Sequence, residues 1–396
     1  MLVFSILLFA YVLSQFFRAF LAIVAGELSR DLGLDAAQLG DLSAVWFASF
    51  ALAQFPVGLA LDKLGPRRTM GLFFVLAVAG AGAFAAATSF TGALAAMALI
   101  GVGCSPVLMS SMYVFGRLYP PERFAMLSSL MIGLGSAGNL LGAAPLAWSV
   151  QAVGWRASMA AIAAVTALSC ALAVLLLRDP PALPTKHEHA SFRAGLGQIL
   201  RLRVLWLMLP LALTSYAVVI AVRSLWIAPF LGQVHGFDAA ERGNAALVMA
   251  VAMSLGALAY GPVERYLGDA RLTCLIGGVV TGLALLALGM LGDRSAALAL
   301  ALLAFIGAAG LSYGILMAHA RTFFPPGLLG RGVTFMNFLF IAGAGVVQWA
   351  SGRFVRAGGE AGDAPSLVFG QLHTVFGALL LAACAVYAFA PSRAPE

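Results

Sequence analysis

The feature that most constrains this chain is a row of long apolar stretches. They run at about 3–27, 39–61, 69–88, 90–117, 124–150, 156–177, 203–232, 242–264, 271–291, 295–320, 332–354 and 366–390, separated by short charged or Gly/Pro-rich breaks. Crossing the hydrocarbon of a bilayer takes about 20 apolar residues of helix, so each stretch is long enough to be a span. The period-two alternation of a membrane β-barrel is absent. Composition removes the soluble alternative. The chain is 62% hydrophobic and 10% charged, against roughly 45–50% and 25% in soluble domains. It has too little polar surface to cover a water-facing globule of 396 residues. A soluble enzyme, a nucleic-acid-binding domain and a disordered scaffold are excluded. The expectation is an all-α membrane protein with twelve transmembrane helices.

Charge sets the orientation. The 23 Lys and Arg against 16 Asp and Glu give a net +7. With the N-terminus cytoplasmic, fifteen Lys or Arg fall on the cytoplasmic side, among them Lys63, Arg67, Arg68, Arg117, Arg123, Arg321 and Arg331. Six fall on the far side: Arg30, Arg156, Arg242, Arg294, Arg353 and Arg356. Cytoplasmic loops carry the positive excess, so both termini are expected in the cytoplasm of a bacterial-type inner membrane. The excess is an orientation signal rather than a nucleic-acid surface. No basic residue precedes the first apolar run and Arg18 interrupts it, so that run reads as a retained helix, not a signal peptide.

Cys104, Cys170, Cys274 and Cys384 lie inside apolar runs, outside any CxxC pair, and read as small buried residues. Met249 and Met253 share a helix face, which reads as packing rather than a copper path. No cofactor or metal is implied. Residues 178–202 form the longest polar break. Three prolines open it, and Phe192, Leu196 and Ile199 recur at helical spacing, which predicts a short surface helix. His187, Glu188 and His189 read as solvated linker.

Six stretches, a loop and six more suggest an internal repeat. Asp62-Lys63 after the second stretch and Glu264-Arg265 after the eighth lie 264 − 62 = 202 apart. Arg117 and Arg321 lie 204 apart, Pro120 and Pro325 205, and Gly101 and Gly307 206. One near-constant offset predicts two homologous, pseudo-symmetric six-helix bundles, 1–177 and 203–396, joined by a cytoplasmic loop, 178–202.

Gly58-Leu-Ala-Leu-Asp62-Lys63-Leu-Gly65-Pro-Arg67-Arg68, after the second of twelve helices, resembles the signature loop of the major facilitator superfamily. The degenerate copy after helix 8 and Gly154-Trp155-Arg156 between helices 5 and 6 fit the same family. The resemblance covers the whole chain and implies two bundles around a central site, working by alternating access. Many drug:proton exporters of the superfamily carry an Arg four residues before a Gly-x-Gly on helix 4. Here Met97 stands at that place before Gly101-Val-Gly103, which counts against that branch. Within the loop, Gly58 is expected to let another helix approach closely. Asp62 is expected to meet Arg67, Arg68 or a helix N-terminus. With Glu264 and Arg265 in the second copy, the set reads as a latch.

Arg18 and Arg223 carry the chemistry. Each lies inside an otherwise uncharged stretch, where an Arg costs about 2.5–3.5 kcal/mol unless it faces water, a partner or a ligand. The repeat relates them: Tyr11 precedes Arg18 by seven residues, Tyr216 precedes Arg223 by seven, and both pairs are 205 apart. In a straight helix seven residues are two turns, so each Tyr would share a face with its Arg. Ser14 and Gln15 join that face on helix 1. Arg is suited to planar bidentate recognition of carboxylate or phosphate. No acidic residue lies deep in the stretches to pair the two permanently, so the expected counter-charge is the substrate. The chain resembles the organophosphate:phosphate antiporters and related organic-anion carriers, which place arginines similarly. Asn139 and Gln348 are further candidate contacts, and Trp46 and Trp226 candidate cavity walls.

These readings predict a monomeric secondary transporter, not an enzyme, that moves a small organic anion by exchange, with the lipid bilayer and the solute as its partners. The alternatives are a proton-coupled exporter of drugs or metabolites and a transporter-like membrane sensor.

Overall fold

The computed structural model describes residues 2–177, 179, 197–324 and 329–392. His187, Glu188, His189, Phe192 and Leu196 lie outside the described residues, as does the side chain of Asp62. Of the predicted central-loop helix, residues 197–200 are described; they are helical and Ile199 is buried.

Among the described residues the chain is helical, with no strand. Span 1 is a bent pair, Leu2–Phe16 and Leu21–Leu32, with 48° between them. Spans 2 and 3 are Ala36–Leu61 and Lys63–Ala85, and span 4 is Phe90–Leu118. A helical run over Gly133–Leu176 follows. Its 44 residues would stretch about 66 Å at 1.5 Å each, twice the hydrocarbon thickness of about 30 Å. Gly154, at φ 81° and ψ 160°, turns the chain inside it. The run is therefore two crossings: span 5, which starts at Pro121–Gly135, and span 6. Spans 7 to 10 are Arg203–His235, Ala239–Leu267, Ala270–Leu291 and Ala296–Arg321. Span 11 is Leu329–Glu360 and span 12 is Pro365–Tyr387. That makes twelve crossings among the described residues. Large apolar side chains such as Leu59, Leu175, Leu258 and Met290 stand at the surface, more than 60% exposed. In water such a surface would drive aggregation; in hydrocarbon it costs nothing. The protein is an integral membrane protein.

The duplication is visible in the local chemistry of the turns. Gly33 closes span 1 in the left-handed region at φ 64°, and Gly236 closes span 7 at φ 71°. Two residues on, Asp35 accepts from the Gln38 N–H at 2.8 Å while Gln38 Oε1 accepts from the Asp35 N–H. Asp238 and Glu241 form the same reciprocal box before span 8. Each box satisfies first-turn N–H groups that a helix leaves open. The offsets, 236 − 33 and 238 − 35, are both 203.

By internal contacts the described chain falls into two compact units. One holds the described residues of Met1–Ala182, Arg223–Gly232 and Gly236–Leu247; the other holds those of Leu183–Val222, Gln233–His235 and Val248–Glu396. Both units pack helices through glycines. In the first, a side-chain carbon on Gly101 would strike the Trp46 carbonyl, and one on Gly138 would strike the carbonyl of Val12. In the second, Gly307 meets the Met249 carbonyl and Gly343 the carbonyl of Leu213. Spans 4 and 2, 5 and 1, 10 and 8, and 11 and 7 thus touch backbone to backbone, the close approach that small residues permit in membranes. Met249 and Met253 both lie against Gly307, so these thioethers fill a helix contact. Gly58 is different. Its expected close approach is not found among the described residues: none of their atoms lies within 4 Å of where a side chain would begin.

Candidate functional site

Arg18 lies in the break of span 1. The α-helix stops at Phe16, and the next N–H groups turn to nearer carbonyls: Arg18 to Gln15 at 3.2 Å and Ala19 to Phe16 at 2.9 Å. The straight-helix register that would align Tyr11 with Arg18 over two turns does not continue to Arg18. The guanidinium instead lies over two rings of span 2, 4.7 Å from the Phe50 centroid and 5.6 Å from that of Trp46. Those rings stack on each other at 5.2 Å. The quadrupole of an aromatic face attracts a cation, so these rings help hold the Arg18 charge in place. Trp46 is buried, and among the described residues its indole Nε1 finds no acceptor. One turn before the break, Gln15 Nε2 donates to the Tyr11 hydroxyl at 2.9 Å. The Tyr11 ring lies against Gly135 of span 5, and Ser14 is buried beside it.

Arg223 occupies the matching place in the second half, and the helix is irregular there too. Val222–Trp226 is a π-helical turn inside span 7. Such a turn inserts a residue into the ladder and recurs at functional sites. The side chain is 4% exposed, and Nη2 donates to the carbonyl of Asn139 at 3.1 Å. That carbonyl is available because span 5 is broken as well. Ala143, which would bond Asn139 in a regular helix, donates to Leu140 instead at 3.1 Å. Asn139, expected to act through its side chain, therefore contributes its backbone oxygen.

The remaining candidates lie elsewhere. Tyr216 belongs to the second unit, where its ring meets Tyr313 edge-on at 5.0 Å. Gln348, also there, is fully buried, and its carbonyl accepts from Ser351 Oγ. Trp226 is buried. His319 is held between the Tyr387 hydroxyl at 2.6 Å and the Pro391 carbonyl at 3.0 Å. The four cysteines are buried and unbridged. Among the described residues no three His, Cys, Asp or Glu side chains gather to hold a metal.

The signature loop is fastened by a residue that the sequence did not single out. Gly65 leaves the helix at φ 78°, and span 3 restarts behind it. The Asp179 carboxylate, just past span 6, accepts from the Arg67 N–H at 2.8 Å. Arg67 Nε donates to the Val174 carbonyl at 2.6 Å. Arg68, Lys63 and Arg265 are exposed, and Glu264 is half-buried. In the second half the cap is local: Asp269 accepts from the Arg271 and Leu272 N–H groups. Arg271 reaches the Ala388 carbonyl at the end of span 12, as Arg67 reaches the end of span 6. At the ends of the spans opposite this loop, Asp31 accepts from Trp155 Nε1 at 2.8 Å and from Arg156 at 2.9 Å. Asp179 and Asp31 each carried one usable sign, a carboxylate at a helix end beside a basic residue. Phe50 carried another, standing one helical turn after Trp46.

Twelve spans, a duplicated turn chemistry and an arginine at the irregular point of each half's first helix define a polytopic helical membrane protein of the carrier kind. The chain belongs to the Major Facilitator Superfamily, whose family profile matches residues 7–348. It is 29% identical to the 4-hydroxybenzoate transporter PcaK of Pseudomonas aeruginosa over 155 residues, 38% of this chain and 34% of that protein. It is 26% identical to the nitrate/nitrite transporter NrtP of Picosynechococcus over 43% of this chain and 37% of that protein. The hexuronate transporter of Escherichia coli K12 matches at 25% over 58% of this chain and 57% of its own. These matches thus span between about a third and three-fifths of each relative. Among solved structures, a D-xylose–proton symporter superposes with a TM-score of 0.80 at 15% identity, covering 99% of this chain and 98% of that one. A bacterial homolog of the lysosomal transporter Spinster gives 0.76 at 20%, covering 98% and 96%. The superfamily and these relatives are transporters, not enzymes.

Proposed function

We propose that the chain is a secondary transporter for a small organic anion, carried across the inner membrane by exchange between two bundles, 1–177 and 203–396, with both termini cytoplasmic. The reading rests above all on one observation. Arg18 and Arg223, 205 residues apart, each sit where the first helix of their half leaves α-geometry. Discontinuous helices bring open backbone groups and side chains to solute sites in transporters. An arginine inside the membrane is a functional position by default. The relatives named above carry 4-hydroxybenzoate, hexuronate and nitrate or nitrite, all anions, which agrees with a cationic site.

Arg18, held over the Trp46 and Phe50 rings, supplies bidentate donors to a carboxylate. The free indole N–H of Trp46 supplies a neutral donor beside it. Arg223 supplies the second positive charge, with Tyr11, Gln15, Ser14, Tyr216, Asn139 and Gln348 as further candidate contacts. Two cations disfavour closure around an empty site, and a bound anion removes that repulsion. Exchange then outpaces net movement. Gly58, Asp62, Arg67, Arg68, Glu264 and Arg265 form the cytoplasmic latch.

The test is counterflow in proteoliposomes loaded with 4-hydroxybenzoate, glucuronate or nitrate. Exchange of at least one of these, lost in both Arg18→Ala and Arg223→Ala, is the expected result. Full exchange by both variants would remove the two-arginine site.

A further inference from the structure

Two hydrogen bonds outside the solute site stand at matching places in the two halves. In each half the fourth helix is broken. Span 4 consists of Phe90–Cys104 and Pro106–Leu118, and span 10 of Ala296–Ala309 and Tyr313–Arg321. The causes are local. Pro106 has no N–H to give the Val102 carbonyl, which takes the Ser105 N–H at 3.2 Å and the Ser105 hydroxyl at 2.6 Å instead. In span 10 the Gly310 N–H reaches the Ile306 carbonyl at 2.8 Å, and among the described residues neither Leu311 nor Ser312 continues the backbone ladder.

The second helix of the same half braces each break. Gln54 of span 2 is 6% exposed, and its Nε2 donates to the Ser105 carbonyl at 3.2 Å. The Tyr260 hydroxyl of span 8 donates to the Ala309 carbonyl. Gly277 of span 9 leaves room for it, since a side-chain carbon there would strike that hydroxyl. Cys274 adds a weaker bond at the same break, donated from Sγ to the Ser312 carbonyl at 3.8 Å. The repeat relates the two braces. Gln54 and Tyr260 lie 260 − 54 = 206 apart, and each stands two residues before a proline, Pro56 and Pro262. The breaks at Ser105 and Gly310 lie 310 − 105 = 205 apart. An amide and a phenol thus serve the same place. Along span 2, Trp46, Phe50 and Gln54 form one i, i+4, i+8 row, so the first brace stands one turn beyond the aromatic floor of Arg18.

A broken helix in hydrocarbon needs its open backbone groups satisfied by neighbouring elements, and its two segments can swing about the break. Hinges of this kind, a few residues at the ends of elements, absorb the backbone changes of a moving protein. We infer that Gln54 and Tyr260 are positioning residues for transport: each fixes the angle of its half's fourth helix at the break, and the rate of the carrier's conformational change depends on that angle. The inference rests on the transporter reading above and adds residues that act through a helix bend instead of through the solute.

Double electron–electron resonance on the full-length protein in liposomes reads each bend without any solute. Spin labels go to the exposed positions Leu99 and Leu118 for span 4, and Phe305 and Arg321 for span 10. Gln54→Met and Tyr260→Phe keep the bulk of each side chain and remove its donor. The first should shift or broaden the span 4 distance alone, and the second the span 10 distance alone. In counterflow of 4-hydroxybenzoate, glucuronate or nitrate, each should lower the maximal exchange rate per folded protein severalfold and leave the half-saturation concentration little changed. Pro106→Ala restores the missing N–H, so in that background Gln54→Met should change the span 4 distance no further. Unchanged distances in both single variants would overturn the inference. So would wild-type maximal rates in both, or an equal effect of Gln54→Met with and without Pro106. If the wild type exchanged none of the three solutes, the anion reading would fall, while the distances would still decide whether the braces set the bends.

Discussion

Asp179 accepts from the backbone N–H of Arg67 at 2.8 Å, and the Arg67 side chain in turn grips the Val174 carbonyl of span 6 at 2.6 Å. The start of span 3 is thereby fastened to the end of span 6. The carboxylate acts as the N-cap that Pro66 and Gly65 cannot provide. Replacing such a cap costs about 0.5–2 kcal/mol. Asp179→Ala should lower the unfolding midpoint in detergent measurably, while Arg68→Ala, whose side chain is exposed, should leave it nearly unchanged. Equal effects would mean that the fastening contributes nothing.

The aromatic floor makes a second prediction. Phe50→Leu keeps an apolar side chain but removes the face under Arg18, a contribution of about 0.5–2 kcal/mol. Released from its floor, the guanidinium should recognise a carboxylate less well. The half-saturation concentration for exchange should then rise severalfold, with Phe50→Tyr close to wild type. Trp46→Phe should weaken binding, because it keeps an aromatic face but removes the indole donor.

Arg223 should not tolerate lysine. An ammonium cannot reproduce the planar fork that bonds the Asn139 carbonyl and still presents donors elsewhere. Arg223→Lys is expected to lose most exchange activity while folding normally, which expression level and elution profile in detergent would report.

The Asp31 clasp separates two effects. Removing the Asp31 carboxylate leaves the Trp155 indole buried without its acceptor, a cost of about 1–3 kcal/mol. Arg156→Ala removes a half-exposed ion pair, a carbonyl contact and the cation over the Trp155 ring at 4.3 Å, with a cost nearer about 1 kcal/mol. Thermal unfolding of Asp31→Ala and Arg156→Ala should rank them in that order.

The glycines divide sharply. Gly138→Val should prevent stable expression, because its side chain would enter the Val12 carbonyl of span 1. Gly58→Ala has open space and should be neutral, or more stable by about 0.5–1 kcal/mol from helix propensity. Midpoints of the two variants would show whether Gly58 serves packing in this state.

What could be read from the sequence follows from what is local in the chain. Apolar length is a one-dimensional property, so the spans and the superfamily signature were legible before any coordinates. Arg18 and Arg223 stood out because a charge in an apolar run needs a reason. Their surroundings did not, because periodicity assumes a continuous α-helix and both residues sit where that assumption ends. The Gly33–Asp35–Gln38 and Gly236–Asp238–Glu241 turns are present in the letters, but spacing alone does not say that their side chains close on the neighbouring backbone. Asp179 could not be assigned to Arg67, since 112 residues separate them and no spacing rule links a helix start to a distant helix end. Gly58 shows the opposite failure: a glycine advertises small size without saying what, if anything, lies next to it.

The two caps also differ in when they become available. Asp269 is made two residues before the N–H it serves, so span 9 can be completed as it leaves the ribosome. Span 3 must wait for Asp179, 112 residues later. At synthesis rates of 5–20 residues per second that delay is roughly 6–20 s. During it the start of span 3 stays uncapped in the membrane, whereas span 9 carries its own cap and waits only for the Arg271 contact with the Ala388 carbonyl.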